Sequence, residues 1–510
     1  MLLRNQSTGT ASGAERWQSR RSVLRFVGFV AMSVIGATST GCALTVPKPS
    51  GKQTLAAPPS SRLATPLSSG HVTVHPSATA VADLQLAAIQ SAAKPLAGSI
   101  LKVLSFTSPY TDAIKAQLDD FQNLTGVSVL LDVLPEEAST RKAINELADG
   151  LNAHDVVQID SGLIPQFARA KTIASLDSLI NDSTLTDQAV LKTDDYFKAA
   201  WESNRWRNQQ YGLPSLAGTQ ILYYRKDLLQ KYGVTPPDTF DDLLTVAKKV
   251  HRPEVAAFAI RASRDQAGAS WTFPMFYLGF GANWFKKFPT DMHPTLDSPE
   301  GIQACAYWVD LLARYGISNE PNSTYEDVLT AFSQGKVALA IESASLATRL
   351  LDPKHSSVAN QTGLSLIPRG VAGRFPPFAG HSWLIAAASP HCQASWLFLQ
   401  WAVSPNILAK VTGAPNANNL AFPRLSAWHA PNFAQTFPFG GQDLVDVVSR
   451  SLSLANAQYR PAIPEWPQLA DRLAIALNEA LTGQKSPEQT MHDAQKDLLR
   501  EFRSAGYFTS

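Results

Sequence analysis

Gly380, His381, Ser382, Trp383 and Leu384 come within one residue of a G-x-S-x-G nucleophile elbow, the turn that exposes a serine for acyl transfer. Leucine stands where the closing glycine belongs, and the following LIAAAS reads as a strand, whereas an elbow needs strand, turn and helix. Adjacent acids at Asp119/Asp120, Glu136/Glu137, Asp194/Asp195 and Asp241/Asp242 would serve a glycosidase only if folding set two carboxylates at a defined separation. Neighbouring carboxylates are more often solvated. No H-E-x-x-H, C-x-x-C, phosphate loop or dinucleotide fingerprint occurs, so neither a metal nor a nucleotide cofactor is expected.

Binding a hydroxylated ligand asks for less. It needs flat apolar surface for C–H faces, and carboxylates, amides or guanidinium groups for hydroxyls. Eleven tryptophans supply the first. Trp271, in ASWTFPMFYLGFGANW, and Trp383, in GHSWL, each follow small or polar residues at an expected loop edge, where a ring can face a cleft or turn into the core. Asp160 and Ser161 close the strand-like DVVQID; a charge after Val156, Val157 and Ile159 suits either a ligand hydroxyl or the N-cap of a helix from Ile164. Gln220, beside Thr219, can donate and accept at once, or occupy an exposed strand position. Arg460, in YRPAIPEWPQ, can fork onto two hydroxyls or form a surface salt bridge.

The elements that would carry these groups alternate. Ile100–Phe106, Val127–Leu134 and Val156–Ile159 are strand-like, and Thr111–Leu124 is helix-like with Ile114, Leu118 and Phe121 on one face. Within Tyr211–Leu244, Gly212 and Pro214 break the chain, Thr219–Tyr224 suits a strand, and Arg225–Tyr232 a helix ended by Gly233. Thr239 with Asp242 then forms a capping box for a helix whose Phe240, Leu243, Ala247 and Val250 share one face.

The order GLP, LYYRKDL, KYG, PPDTFDDLL in that stretch resembles the central segment of family 1 extracellular solute-binding proteins, the sugar receptors of ABC importers, with trehalose- and maltose-type receptors nearest in wording. DVVQID, FSQGKVALAI (Phe332–Ile341), GHSWLIAAASP (Gly380–Pro390), WLFLQWAVSP (Trp396–Pro405) and PEWPQLADRLAIALNEALTG (Pro464–Gly483) are similar to family segments in the same order, so the resemblance spans residues 98–510. It implies an α/β, two-lobed, periplasmic-binding-protein-like (type II) fold. The hinge would have several crossings, near Leu216–Thr219, Ile341–Ser345 and Ala386–Ser389. Lobe 1 would hold about 98–217 and 342–387, lobe 2 about 218–341 and 388–510, with the ligand between them.

The same resemblance makes Ser108, Tyr110, Asp160, Ser161, Thr219, Gln220, Trp271, Trp383 and Arg460 the expected ligand-binding residues. It implies a monomeric receptor that performs no chemistry and hands a small carbohydrate to the membrane subunits of an ABC permease. A ligand-sensing lipoprotein or a glycan-binding surface protein would use the same fold, and a hydrolase is the least favoured class. Two departures point to a compact ligand. Ile159 replaces an aromatic of the maltose-type members, and Glu342, Ser343, Ala344 and Ser345 stand where another would follow the FSQGKVALAI strand.

Residues 1–42 read as an export signal: Arg4, Arg16, Arg20, Arg21 and Arg25 precede an apolar run, Phe26–Ala37, too short for an ordinary membrane span. Gly41–Cys42 resembles the end of a lipobox, with Ser39 in place of the usual aliphatic residue, and plain signal cleavage is the other reading. SRRSVL (Ser19–Leu24) resembles a twin-arginine signal or is simply a basic leader. Residues 43–97 are rich in Ala, Ser, Thr and Pro, with no aromatic between Phe29 and Phe106, and read as a tether to the outer face of the membrane. Of the formal charge of +2, the leader's five arginines less one glutamate contribute +4, leaving about −2 elsewhere, which excludes nucleic acid as a partner. Cys305, on a helical stripe with Ile302, Val309 and Leu312, is either a small buried hydrophobe or bridged to Cys392.

Overall fold

Eight strands build the main sheet: β1 (Ile100–Phe106), β2 (Ser128–Leu134), β3 (Val156–Asp160), β4 (Gly212–Arg225), β5 (Ala256–Ala259), β6 (Val337–Ser343), β7 (Thr362–Ser365) and β8 (Phe378–Ile385). Their order is β2-β1-β3-β8-β4-β6-β5, with β7 also on β4. The computed structural model describes residues 78–150, 153–265, 268–318, 320–413, 421–430 and 433–508. The expected signal, Cys42 and the tether up to residue 77 lie outside the described residues.

Strand β4 organises the molecule because it belongs to both ends of the sheet. Gly212–Thr219 pairs with β8, which joins β3 and β1, while Gln220–Tyr224 pairs with β6. Pairing changes hands between Thr219 and Gln220, next to one of the expected crossings. The chain does not break at Gly212 and Pro214, as their residue types suggested; both lie inside the strand. Pro214 is accommodated at a bulge opposite His381/Ser382, where a missing N–H is tolerated, and the extra residue, Ser215, donates its hydroxyl to the His381 carbonyl at 2.9 Å. Gly212 is needed for close approach, since a Cβ there would lie 2.4 Å from Asn204 Oδ1.

Helices α1 (Ala78–Ala93), α2 (Glu136–Ala148), α3 (Ile164–Ala170), α4 (Phe240–Val250), α5 (Pro299–Tyr315), α6 (Cys392–Ala402), α7 (Gly441–Leu454), α8 (Trp466–Leu481) and α9 (Pro487–Ser504) pack on the sheet or on one another. The capping box of α4 forms as its residue types require, with Asp242 N–H donating to Thr239 Oγ1 and Thr239 N–H to Asp242 Oδ2, both at 3.0 Å. The helix expected over 111–124 is instead two, Pro109–Lys115 and Leu118–Thr125, so that Tyr110, Ile114 and Phe121 all reach the core.

One core gathers Leu101, Val103, Tyr110, Phe121, Trp383, Trp396 and Trp401; another gathers Phe240, Phe276, Trp308, Leu339, Leu473 and Phe502. Two boundaries differ from expectation. Residues 78–97 are not tether: α1 packs on α6, and Ile89 and Ala93 are buried. The chain also does not cross over at Ala386–Ser389. Trp396, Leu397, Phe398, Leu399 and Trp401 make α6 apolar on every side, so it is sandwiched between β8 and α1, and the chain reaches the other core only after α7, through residues 455–465.

Cys305 is a free, buried thiol on α5, so no disulfide joins it to Cys392. Burial pushes its pKa up to about 12, which leaves it an inert hydrophobe.

Candidate ligand-binding site

At the carboxyl end of β3 the sheet opens into a cleft of about 620 Å³. One wall holds Glu136, Glu137 and Arg141 of α2, Asp160, and Ala379 and His381 of β8; the other holds Arg261, Trp271, Arg460, Trp466 and Ala470. Three carboxylates, Glu136, Glu137 and Asp160, and three guanidinium groups, Arg141, Arg261 and Arg460, line it, so the cleft offers both acceptors and donors to a hydroxyl-rich occupant.

Asp160 accepts three hydrogen bonds from two partners. Its Oδ1 accepts the Gly162 N–H at 2.7 Å, which is the helix-capping role, and both oxygens accept the fork of Arg460, at 2.9 and 3.1 Å. Burial alone would raise this carboxyl. Attraction to Arg460 and His381, with the hydrogen bonds from Arg460 and Gly162, outweighs that and holds it below its ordinary 3.8. Gly162 leaves room for the fork, since a Cβ there would come 3.3 Å from Arg460 Cζ. Ser161 is buried beside this pair, in a small recess that Arg460 and Trp466 also line.

His381 lies opposite Asp160 in the β3–β8 register and donates from Nε2 to Glu136 Oε1 at 3.0 Å. That hydrogen bond holds the Glu136 carboxyl below its ordinary value, against the opposing effect of burial. The imidazole also rests on Phe106, ring centroids 4.7 Å apart. Across the cleft, the carboxylate of Glu342, fully buried in β6, accepts Arg261 Nε at 2.7 Å and Nη2 at 2.5 Å. The guanidinium is thereby set over the rings of Trp271 (4.7 Å) and Tyr325 (5.0 Å). The Trp271 indole N–H is buried without a hydrogen-bond partner. Glu342, which looked like a missing aromatic, thus positions an arginine instead.

Of the expected residues, Asp160, Trp271 and Arg460 line the cleft together, with Ser161 in the adjoining recess. The others do not. Trp383 is fully buried and donates its indole N–H to Tyr110 Oη at 3.0 Å; Tyr110 in turn donates to the Ala402 carbonyl. Trp383 pairs with Gln158, two residues further into the sheet than His381, or about 7 Å from the open end. Thr219 is buried against Ser451 Oγ at 2.9 Å, and the Gln220 side chain is buried at the crossing with neither amide atom hydrogen-bonded. Ser108 caps the 109–115 helix by accepting the Thr111 N–H. Sequence reasoning missed Arg261, Glu136, His381 and Trp466. Only the register opposite Asp160 could have found His381.

Residues 107–407 match the family described as bacterial extracellular solute-binding protein. The chain belongs to that family. This solute-binding protein is 28% identical to the mannitol-binding protein of Pseudomonas aeruginosa over 334 residues, 62% of this chain and 74% of that one. It is 24% identical to the erythritol/L-threitol-binding protein of Mycolicibacterium smegmatis over 326 residues, 61% and 68% of the two chains. It superposes on an ABC transporter solute-binding protein from Agrobacterium radiobacter, in complex with ribitol, with a TM-score of 0.67 and 23% identity, covering 80% of this chain and 100% of the other. That likeness shows the two-lobed α/β fold. The solute-binding protein is a binder that acts outside the cytoplasm, not an enzyme. Among its described residues no helix is long and apolar enough to cross a membrane.

Proposed function

We propose that this solute-binding protein captures a small neutral polyol or monosaccharide in the cleft between Asp160 and Trp271 and delivers it to the membrane subunits of an ABC importer. The observation that carries the reading is the set of acids and guanidinium groups, Asp160, Arg460, Glu136 and Arg261, around an indole ring in a cleft of about 620 Å³. Hydroxyls both donate and accept, so paired acids and guanidinium groups suit them. Relatives named for binding mannitol and erythritol/L-threitol support a linear polyol over a long oligosaccharide.

In this proposal Cys42 carries a lipid anchor and the receptor works as a monomer. A thermal-shift screen of the full-length chain against mannitol, ribitol, erythritol, glucose, maltose and amino acids tests it. A ligand at one hundred times its Kd stabilises the native state by about 2.7 kcal/mol. A shift with a polyol and none with maltose is the expected result; a shift with amino acids alone would sink the reading.

A further inference from the structure

The ion pairs Asp160–Arg460 and Arg169–Glu465 each join the β3 end of the sheet to the 455–481 segment across the cleft. The first lines the cleft. The second does not, since neither Arg169 nor Glu465 is among the lining residues. Arg169 lies in the last turn of α3, which follows β3 and packs on α2. Glu465 is the N-cap of α8, which packs on α5 and α9. Arg169 Nη1 donates to Glu465 Oε1, and the remaining oxygen, Oε2, accepts the hydroxyl of Tyr507 at 2.5 Å. The glutamate side chain is 11% exposed and the arginine 50%, so a fixed carboxylate on one side receives a reaching side chain from the other.

An ion pair within one rigid body adds stability and nothing else. A pair whose partners belong to bodies that separate exists only in the closed form, so it shifts the open–closed balance and, through it, the apparent affinity. We infer that Arg169 and Glu465, backed by Tyr507, form a latch on the rim of the cleft that raises ligand affinity by favouring closure, without touching the ligand. They are positioning residues, and the inference rests on the cleft being the binding site. A half-exposed pair of this kind changes such a balance by about two- to fivefold.

The test compares the full-length wild type with Arg169→Gln and Tyr507→Phe. Amide hydrogen exchange of the peptides around Asp160 and Trp271 is followed without ligand, and the Kd for D-mannitol is measured by calorimetry. Faster exchange of those peptides in both variants, a Kd weakened about two- to fivefold in Arg169→Gln, and a wild-type melting temperature are expected. A purely structural role would lower the melting temperature and leave the cleft peptides unchanged. Wild-type exchange in Arg169→Gln overturns the latch. If D-mannitol fails to bind the wild type, the ligand reading is what has failed, and the exchange comparison alone decides the latch: faster exchange supports it, unchanged exchange removes it.

Discussion

Arg460 Nη1 and Nη2 donate to Asp160 Oδ2 and Oδ1 at 3.1 and 2.9 Å, a fork that ties the end of β3 to the 455–465 connection. Each group orients the other, which reduces the ordering that a ligand must otherwise impose. Asp160→Asn should weaken D-mannitol binding by more than about tenfold, or about 1.4 kcal/mol, while the protein still melts cooperatively. Calorimetry beside a thermal melt separates the two effects, and normal binding would mean the pocket is misplaced.

The same pair sets a pH dependence. The folded pKa of Asp160 is lowered, so its contribution is present above the ordinary value of 3.8 and is lost only as pH falls through the lower, folded value. Affinity should therefore be flat across the neutral and mildly acidic range and fall only in strong acid. A binding titration that drops near neutrality would show that Asp160 does not set the pH dependence.

Trp383 and Trp271 should behave differently. Trp383→Ala removes a fully buried ring and its hydrogen bond to Tyr110, and should cost about 3–5 kcal/mol of stability. Trp271→Ala removes cleft surface and the ring under Arg261, and should weaken binding with a smaller loss of stability. Denaturant melts and calorimetry on both variants check the contrast.

Glu342→Ala should be among the most harmful changes near the cleft. It removes the buried carboxylate that holds the Arg261 guanidinium, whose side chain is 11% exposed, at a cost of about 3–5 kcal/mol. Ligand affinity should fall with it, because Arg261 is then no longer set over Trp271. A variant that melts and binds like wild type would show that Glu342 positions nothing.

Glu320 offers a stability test away from the cleft. Burial raises its carboxyl well above 4.5, although the Ile317 and Ile260 N–H groups donate to it. A raised folded value means the folded protein keeps a proton that the unfolded chain releases, so stability falls as pH rises above about 4.5. Glu320→Gln removes that loss, and its melting temperature should increasingly exceed wild type between pH 5 and 8.

Local features were legible in the sequence because they depend on neighbours a few residues apart. The capping box of Thr239 and Asp242, the strands expected over 100–106 and 127–134, and the apolar stripe of α5 needed only residue type and spacing. The family was legible for a related reason, since ordered motifs survive where overall identity does not. Asp160 could be placed by its position at a strand end, because a charge after an apolar strand has few places to go.

What faces the cleft was decided by the tertiary structure. Trp383 and His381 stand two residues apart in β8, yet one is in the core and the other at the open end, because register against β3 sets their depth. Arg261 became a cleft residue through Glu342, 81 positions away, and α6 stayed with the first core because α1, read as tether, covers it. Such relationships join residues distant in the chain, whose meeting depends on the packing of whole elements, and no local pattern encodes it.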